Sequence, residues 1–598
     1  MCATRVGRVG EAWFIVALFS GLALGADIPD SISISDLQTA QWSGSLISNA
    51  AFAPPANAMA ARQPFVGTLS LVETRMTTLP AAFASAAILG RDPQVFPAVK
   101  VAFFTAASDL VPVTQEVIPA GSAGRGRSYW DLIAQPGAVW SMPDDDGWSR
   151  AGFPFALVNS LEGETHNGVA TFAYKSGKVT NLRVQIVQQT APFYVVDYFT
   201  ATAQIEAKWL LQPPDGVEGA RRRYRTTLRD RLPIARWGDL AARIPKDRLE
   251  NFDDGKAADI VVSGLDYNGT LYLKACNTVA GPLPWCERSR FGVWSATKAL
   301  VAETALLRLA QKYGPGIFEE RMAAFLPQVA AFPGWADVRF ADAANMATGI
   351  GKGSLTRNPN NILDGGLENY SPWYEARTKE QKIHAALVGS QPFPWGPGQV
   401  ARYRDQDIFM LGVAMDNYVK KKEGKAASIW TMLSKEVFEP IGIHAAPINA
   451  TLELAGRQGQ PLMAFGYYPT VSDLVRIARL YQNFGAYHAR QLLYAPAIER
   501  IFSRTSAPGL PTGKHTPFGE IFYFNTFWKV PYSTRQGCKL YYPQMEGWGG
   551  TVVALMPGKL TGIRIAKIWD DGTSDASATD GMASVAEQLE SFVPDSTC

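Results

Sequence analysis

A break at Pro213-Pro214-Asp215-Gly216 divides the chain into two stretches with different hydrophobic periods, so no single repeating architecture covers both. Before it, residues 169–174, 182–188 and 193–199 are short runs of β-branched and aromatic residues, and Ser176-Gly177 supplies a turn between the first two. That pattern predicts an antiparallel, β-rich unit. Residues 27–120 have weak periodicity and give no assignment.

After the break, helix and strand patterns alternate. Residues 259–265 and 270–275 flank Tyr267-Asn268-Gly269 as a hairpin. Ala302, Ala305, Leu306 and Leu309 form an apolar helical stripe running to the stop at Tyr313-Gly314-Pro315. Residues 550–556 and 563–569 flank Pro557-Gly558 as a second hairpin, 576–592 read as a closing amphipathic helix, and the region between is mostly helical. The junction is expected between about 213 and 250, separating a β-rich unit over 26–230 from a second unit over 250–598.

A length of 598 residues suits two or three folding units. With 47% hydrophobic and 19% charged residues, the chain can bury large cores, which excludes wholesale disorder. Its 57 basic and 54 acidic residues leave a net charge of +3, too little at this length for a nucleic-acid surface. Arg221-Arg222-Arg223 and Lys420-Lys421-Lys422 read as solvated faces.

Residues 1–25 carry Arg5 and Arg8, an apolar run from Trp13 to Leu24, and small residues around Gly25 and Ala26. They resemble a secretory signal peptide cleaved near Gly25/Ala26, and the apolar run is short for a membrane span. The expected mature protein is therefore secreted or periplasmic, with no stable span. Cys2 would leave with the signal. Cys276 with Cys286 is then the natural pair, leaving Cys538 with Cys598.

Ser295-Ala296-Thr297-Lys298 carries the chemistry. A serine in the first turn of a helix and a lysine three residues on share a face, about 5–6 Å apart at Cβ. The helix dipole and burial are expected to disfavour the ammonium form, leaving Lys298 as a base toward Ser295. No Cys/His metal spacing is seen, and no cofactor or metal is implied. Ala120-Gly121-Ser122-Ala123-Gly124 imitates a nucleophile elbow but lacks a preceding strand. Asp144-Asp145-Asp146-Gly147 reads as an exposed turn, and His166 as a surface residue of the hairpin region.

Three segments in order carry a resemblance. Phe291 to Lys298 resembles the nucleophile motif of the serine β-lactamase and penicillin-binding-protein superfamily. Pro397-Gly398 leading to Tyr403-Arg404-Asp405 resembles its Tyr-x-Asn motif, and Gly547-Trp548-Gly549-Gly550-Thr551 lies where that family carries Lys-Thr-Gly or a replacement. Trp-Gly-Gly is similar to the family VIII carboxylesterases, and a glycine-rich version to aminohexanoate-oligomer hydrolases. Connecting segments near Asn345, Val437 and Thr470 extend the resemblance over about 250–598.

The resemblance implies a β-lactamase-like α/β (α+β) fold: an antiparallel sheet flanked by helices with a mostly helical subdomain, here preceded by a β-rich N-terminal domain of unknown role. It implies Ser295, Lys298 and Tyr403 as catalytic, backbone N–H groups of Ser295 and Thr551 as the oxyanion hole, and Trp548, Gly549, Gly550 and Asp405 as substrate-binding. Asp405 departs from the usual Asn, and Trp548 from the usual Lys. The missing cation favours a small-molecule ester or uncharged amide. The alternatives are β-lactamase or D-alanyl peptidase-like action on a cell-envelope substrate, or a non-catalytic binding module. Oligomeric state is not legible.

Overall fold

The strand-and-turn pattern ahead of Pro213 closes into two antiparallel sheets. This computed structural model describes residues 31–593 except 41, 43, 83–89, 123–125, 196–197, 357–360, 365–369, 455–457, 506–507 and 569–576. The signal-like terminus and Cys598 lie outside the described residues. One sheet has the order Ala207–Leu210, Val66–Leu71, Lys100–Ala106, Asp109–Pro112. The other runs Thr77–Leu79, Thr200–Ile205, Leu182–Gln189, His166–Lys175, Ser149–Val158, Asp131–Ala134, with two short strands pairing alongside.

Val66–Leu71 alternates half-buried and buried, as a strand with one core face should. Phe65 fills the space between the sheets, 5.3 Å from the Phe172 ring and stacked on Trp209 at 4.6 Å. Leu182–Gln189 is buried along its whole length: Arg183 lies over the Trp42 ring, Gln185 bonds Ile47 and Asn49 of the N-terminal segment, and Val187 joins a core shared with the second unit. Within the run expected at 193–199, the described residues 193–195 and 198–199 lie outside any strand, and the next strand begins at Thr200. Ser176 and Gly177 turn the expected hairpin with positive φ at both positions, 48° and 80°.

His166 corrects its expected surface place. It is fully buried between Trp130 and Phe199, with Nε2 3.1 Å from Glu164 Oε1, and burial pushes its pKa down to about 3. Within the expected acidic turn, Asp145 is buried and paired to Arg150 at 2.6 Å. The three arginines after the break lie in the helix Val217–Arg229, which buries Ala220 and Tyr224 against Phe104 and Val111 of the first unit.

The second unit is built on a nine-stranded sheet, ordered Ile234–Arg236, Thr270–Leu273, Ile260–Tyr267, Leu560–Ala566, Thr551–Met556, Lys539–Gly547, Phe527–Ser533, Gly519–Phe524, Leu510–Thr516. All neighbours are antiparallel except the first two. Both expected hairpins are there. Val471–Gln482 and Asp580–Leu589 pack on the sheet, while Asp405–Glu423, Lys379–Leu387 and Ile429–Leu433 build a helical part. The fold is the expected one, an antiparallel sheet flanked by helices and preceded by a β-rich unit. Among the described residues no helix is long and apolar enough to cross a membrane.

Cys276 and Cys286 form a disulfide. Cys538 is also disulfide-bonded. Replacing Cys276 and Cys286 by serine should lower the unfolding free energy in urea by about 2–4 kcal/mol, because the short loop is then free in the unfolded chain. Coincident melts of variant and wild type would exclude a stabilising role for the bridge.

Candidate active site

Trp294 sets the turn that carries Ser295. Its φ of 45° is unusual for a bulky residue, and the surroundings hold it there. Its Nε1 donates to Ala191 O at 2.9 Å, and Gly292 N donates to Thr165 Oγ1 at 3.1 Å, both groups of the first unit. The backbone then winds through Lys298 N to Ser295 O, 2.9 Å, into a π-helical turn Lys298–Glu303 and the α-helix Thr304–Tyr313. Wide turns of this kind gather at functional sites. From 291 to 300, Ser295 alone is not buried.

Lys298 is 1% exposed. Its Nζ donates to Ser295 Oγ at 2.6 Å and to Ala464 O at 3.1 Å, and lies 2.5 Å from Asp405 Oδ1. The Tyr403 ring centroid is 4.6 Å away. Burial opposes the ammonium, but the charge of Asp405, with Tyr403 and their hydrogen bonds, outweighs it and holds the Lys298 pKa above its ordinary value. The expected depressed lysine is thereby corrected. The sequence reading weighed the helix dipole and burial but not a carboxylate brought in from a residue more than a hundred positions away.

Tyr403 follows the Pro397-Gly398 turn, held by Gly398 N to Ala347 O, Arg402 N to Met346 O and Tyr403 N to Ile362 O. Its ring stacks on Trp528 at 5.9 Å. Burial raises the phenol's pKa; hydrogen bonds from Ser295 and Lys298 and the lysine charge only partly offset that. At neutral pH the site therefore holds a phenol and an ammonium, the latter paired with buried Asp405. Asp405, expected to face substrate, is 1% exposed, and its Oδ2 accepts a hydrogen bond from Tyr370 OH. Tyr370 has no motif around it and was not singled out. A second buried lysine was missed too: Lys382 donates to Trp373 O and Tyr374 O, and burial lowers its pKa to about 7 against the pull of Asp405.

The third segment reaches the turn that carries Ser295 through Gly547, where an added Cβ would lie 2.1 Å from Val293 O and 3.3 Å from Ala296 N. Gly547 pairs with Thr551 across the hairpin. Gly549 and Gly550 both have φ of 81°, and a Cβ on Gly549 would meet Ala191 Cβ at 2.0 Å. Trp548 is half-buried, with Nε1 donating to Pro192 O at 3.0 Å. Thr551 is buried, and its Oγ1 has no hydrogen-bond partner. Among the described residues no three or more His, Cys, Asp or Glu side chains gather as metal ligands do.

No family model matches this sequence, and no curated protein matches it. Among solved structures the chain is similar to proteins of the serine β-lactamase and penicillin-binding type. A Bacillus anthracis protein assigned as a 6-aminohexanoate-dimer hydrolase is 18% identical, with 60% of this chain and 86% of that one covered and a TM-score of 0.42. A family VIII carboxylesterase is 15% identical over 58% of this chain and 97% of its own, TM-score 0.40. A class C β-lactamase solved with cefoxitin is 14% identical over 57% and 98%, TM-score 0.39.

Proposed function

We propose that this chain is an exported serine hydrolase that cleaves a carboxylic ester or uncharged amide through an acyl-enzyme on Ser295. The observation that carries the reading is the partly buried Ser295, whose Oγ lies 2.6 Å from a buried lysine that is itself paired to Asp405 and faces Tyr403. A nucleophile, a proton path and a second proton donor thus meet at one site.

The proton balance follows from the pairing. As Ser295 Oγ bonds to the acyl carbon, its proton passes to Lys298 Nζ, and Lys298 passes one of its own to Asp405 Oδ1. Lysine stays an ammonium, which stabilises the developing charge. When the carbon–leaving-group bond breaks, Tyr403 OH protonates the departing oxygen or nitrogen and regains its proton from Asp405 through Lys298. Water then attacks the acyl-enzyme by the reverse path. Backbone N–H groups of Ser295 and Thr551 would hold the oxyanion, each donor worth about 2.7–4 kcal/mol in the barrier.

The ester preference rests on charge. Trp548 stands where penicillin-recognising relatives of the motif keep a lysine, and Lys298 is already neutralised by Asp405. A carboxylate lacking its charge-assisted hydrogen bond forgoes about 1.5–3 kcal/mol, which neutral esters do not need. Two measurements test the reading. A fluorophosphonate should add one equivalent of mass, mapping to the peptide that holds Ser295. Aryl esters should show a higher kcat/KM than a chromogenic cephalosporin or a D-Ala-D-Ala peptide. Labelling elsewhere refutes the nucleophile, and a reversed preference refutes the ester assignment.

A further inference from the structure

We propose that Phe193, carried by the N-terminal β unit, forms with Trp548 an aromatic subsite beside Ser295 that takes a flat, uncharged aryl group of the substrate. This rests on Ser295 being the nucleophile. The N-terminal unit then builds one wall of the active site.

Consecutive carbonyls of the first unit hold a tryptophan on each side of the site. Ala191 O accepts from Trp294 Nε1 at 2.9 Å, next to the nucleophile, and Pro192 O accepts from Trp548 Nε1 at 3.0 Å. Phe193 comes next in the chain. Its ring centroid lies 6.2 Å from Trp294, 6.2 Å from Tyr370 and 6.4 Å from Trp548, nearly perpendicular to the last at 80°. Behind it Tyr374 lies at 5.5 Å and is stacked on Phe465 at 4.8 Å.

Burial separates these rings into two sets. Trp294, Tyr374 and Phe465 are buried, whereas Phe193, Tyr370, Tyr403 and Trp548 keep part of their surface open, as Ser295 does. The buried set fixes the open set. The segment is held on both sides of Phe193: Tyr194 N donates to the buried Glu162 side chain at 2.8 Å, and Ala191 packs on the Gly549 backbone. Open ring surface in fixed orientation favours another ring, stacked or edge-on. The two charges beside it, Lys298 and Asp405, cancel one another, so an anionic group there would lose water and gain no counter-ion.

The test uses the full chain and three neutral esters followed by proton release: ethyl acetate, ethyl phenylacetate with a ring on the acyl side, and benzyl acetate with a ring on the alcohol side. Wild type should favour at least one ring-bearing ester over ethyl acetate by about tenfold or more in kcat/KM. Phe193→Ala should cut that ratio by about five- to tenfold, chiefly through KM. Phe193→Leu keeps the apolar volume without the ring and should lose most of the preference, which covers the case where alanine fails to fold. An unchanged ratio, an equal loss on all three esters, or a wild type without ring preference would overturn the subsite. Absence of labelling at Ser295 in wild type would instead overturn the nucleophile.

Discussion

Alanine at Ser295 and methionine at Lys298 should each lower kcat/KM for the best ester by at least about 10⁴-fold, and the double variant should be no worse than the poorer single, since residues that act as a unit are not additive. Stability separates the two changes. Ser295→Ala removes one hydroxyl from a partly buried residue and should melt as wild type does. Lys298→Met leaves the Asp405 carboxylate buried beside an apolar chain, with Tyr370 OH as a donor, and stranding a buried charge typically costs about 3–5 kcal/mol. Adding Asp405→Asn to Lys298→Met removes that charge, so most of the stability should return while activity does not. Urea melts and initial rates on wild type and the four variants check this. Turnover within tenfold of wild type in Lys298→Met would remove lysine from the proton path.

What the sequence shows of this site follows from how local each piece is. Ser295 and Lys298 are three residues apart on a helical turn, so their hydrogen bond is a matter of helix geometry. Tyr403 was placed by the turn before it. Asp405, two residues further, finds its partners Lys298 and Tyr370 in distant segments. A charge brought in this way reverses the lysine's pKa shift, and no window of sequence contains both groups.

The same holds for the fold. The hairpin at Asn268-Gly269 and the strands around Ser176-Gly177 announce themselves through turns that demand positive φ. Residues 193–199 have strand composition, yet Phe193 lies outside any strand and packs against Tyr374 and Trp294. His166 looked like a polar surface residue. Its burial between Trp130 and Phe199 depends on how the β unit closes on itself and on its Glu164 neighbour.

Asp405→Asn should change the pH profile more than any other single substitution at the site. In wild type the Asp405 charge outweighs burial and keeps the Lys298 pKa above 10.5, so lysine adds no ionisation to kcat/KM between about pH 6 and 9. With asparagine, burial acts almost alone and drives that pKa below 10.5, the direction Lys382 shows at its buried position. The acceptor of the serine proton is then the free amine. Its fraction grows with pH, so kcat/KM should rise on the alkaline side and level off above the new pKa. At neutral pH the variant should be slower by about 10²-fold or more, since Asp405 no longer takes the relayed proton. Stability changes in a linked way. In wild type the raised lysine pKa contributes stability that is full below the unfolded value and lost as pH rises through the folded one. In the variant the folded pKa is depressed, so stability should fall as pH drops from about 10.5 toward the new value. Rate profiles and urea melts across pH 6–10 read both effects. Superimposable profiles for wild type and Asp405→Asn would show that Asp405 neither sets the charge of Lys298 nor receives its proton.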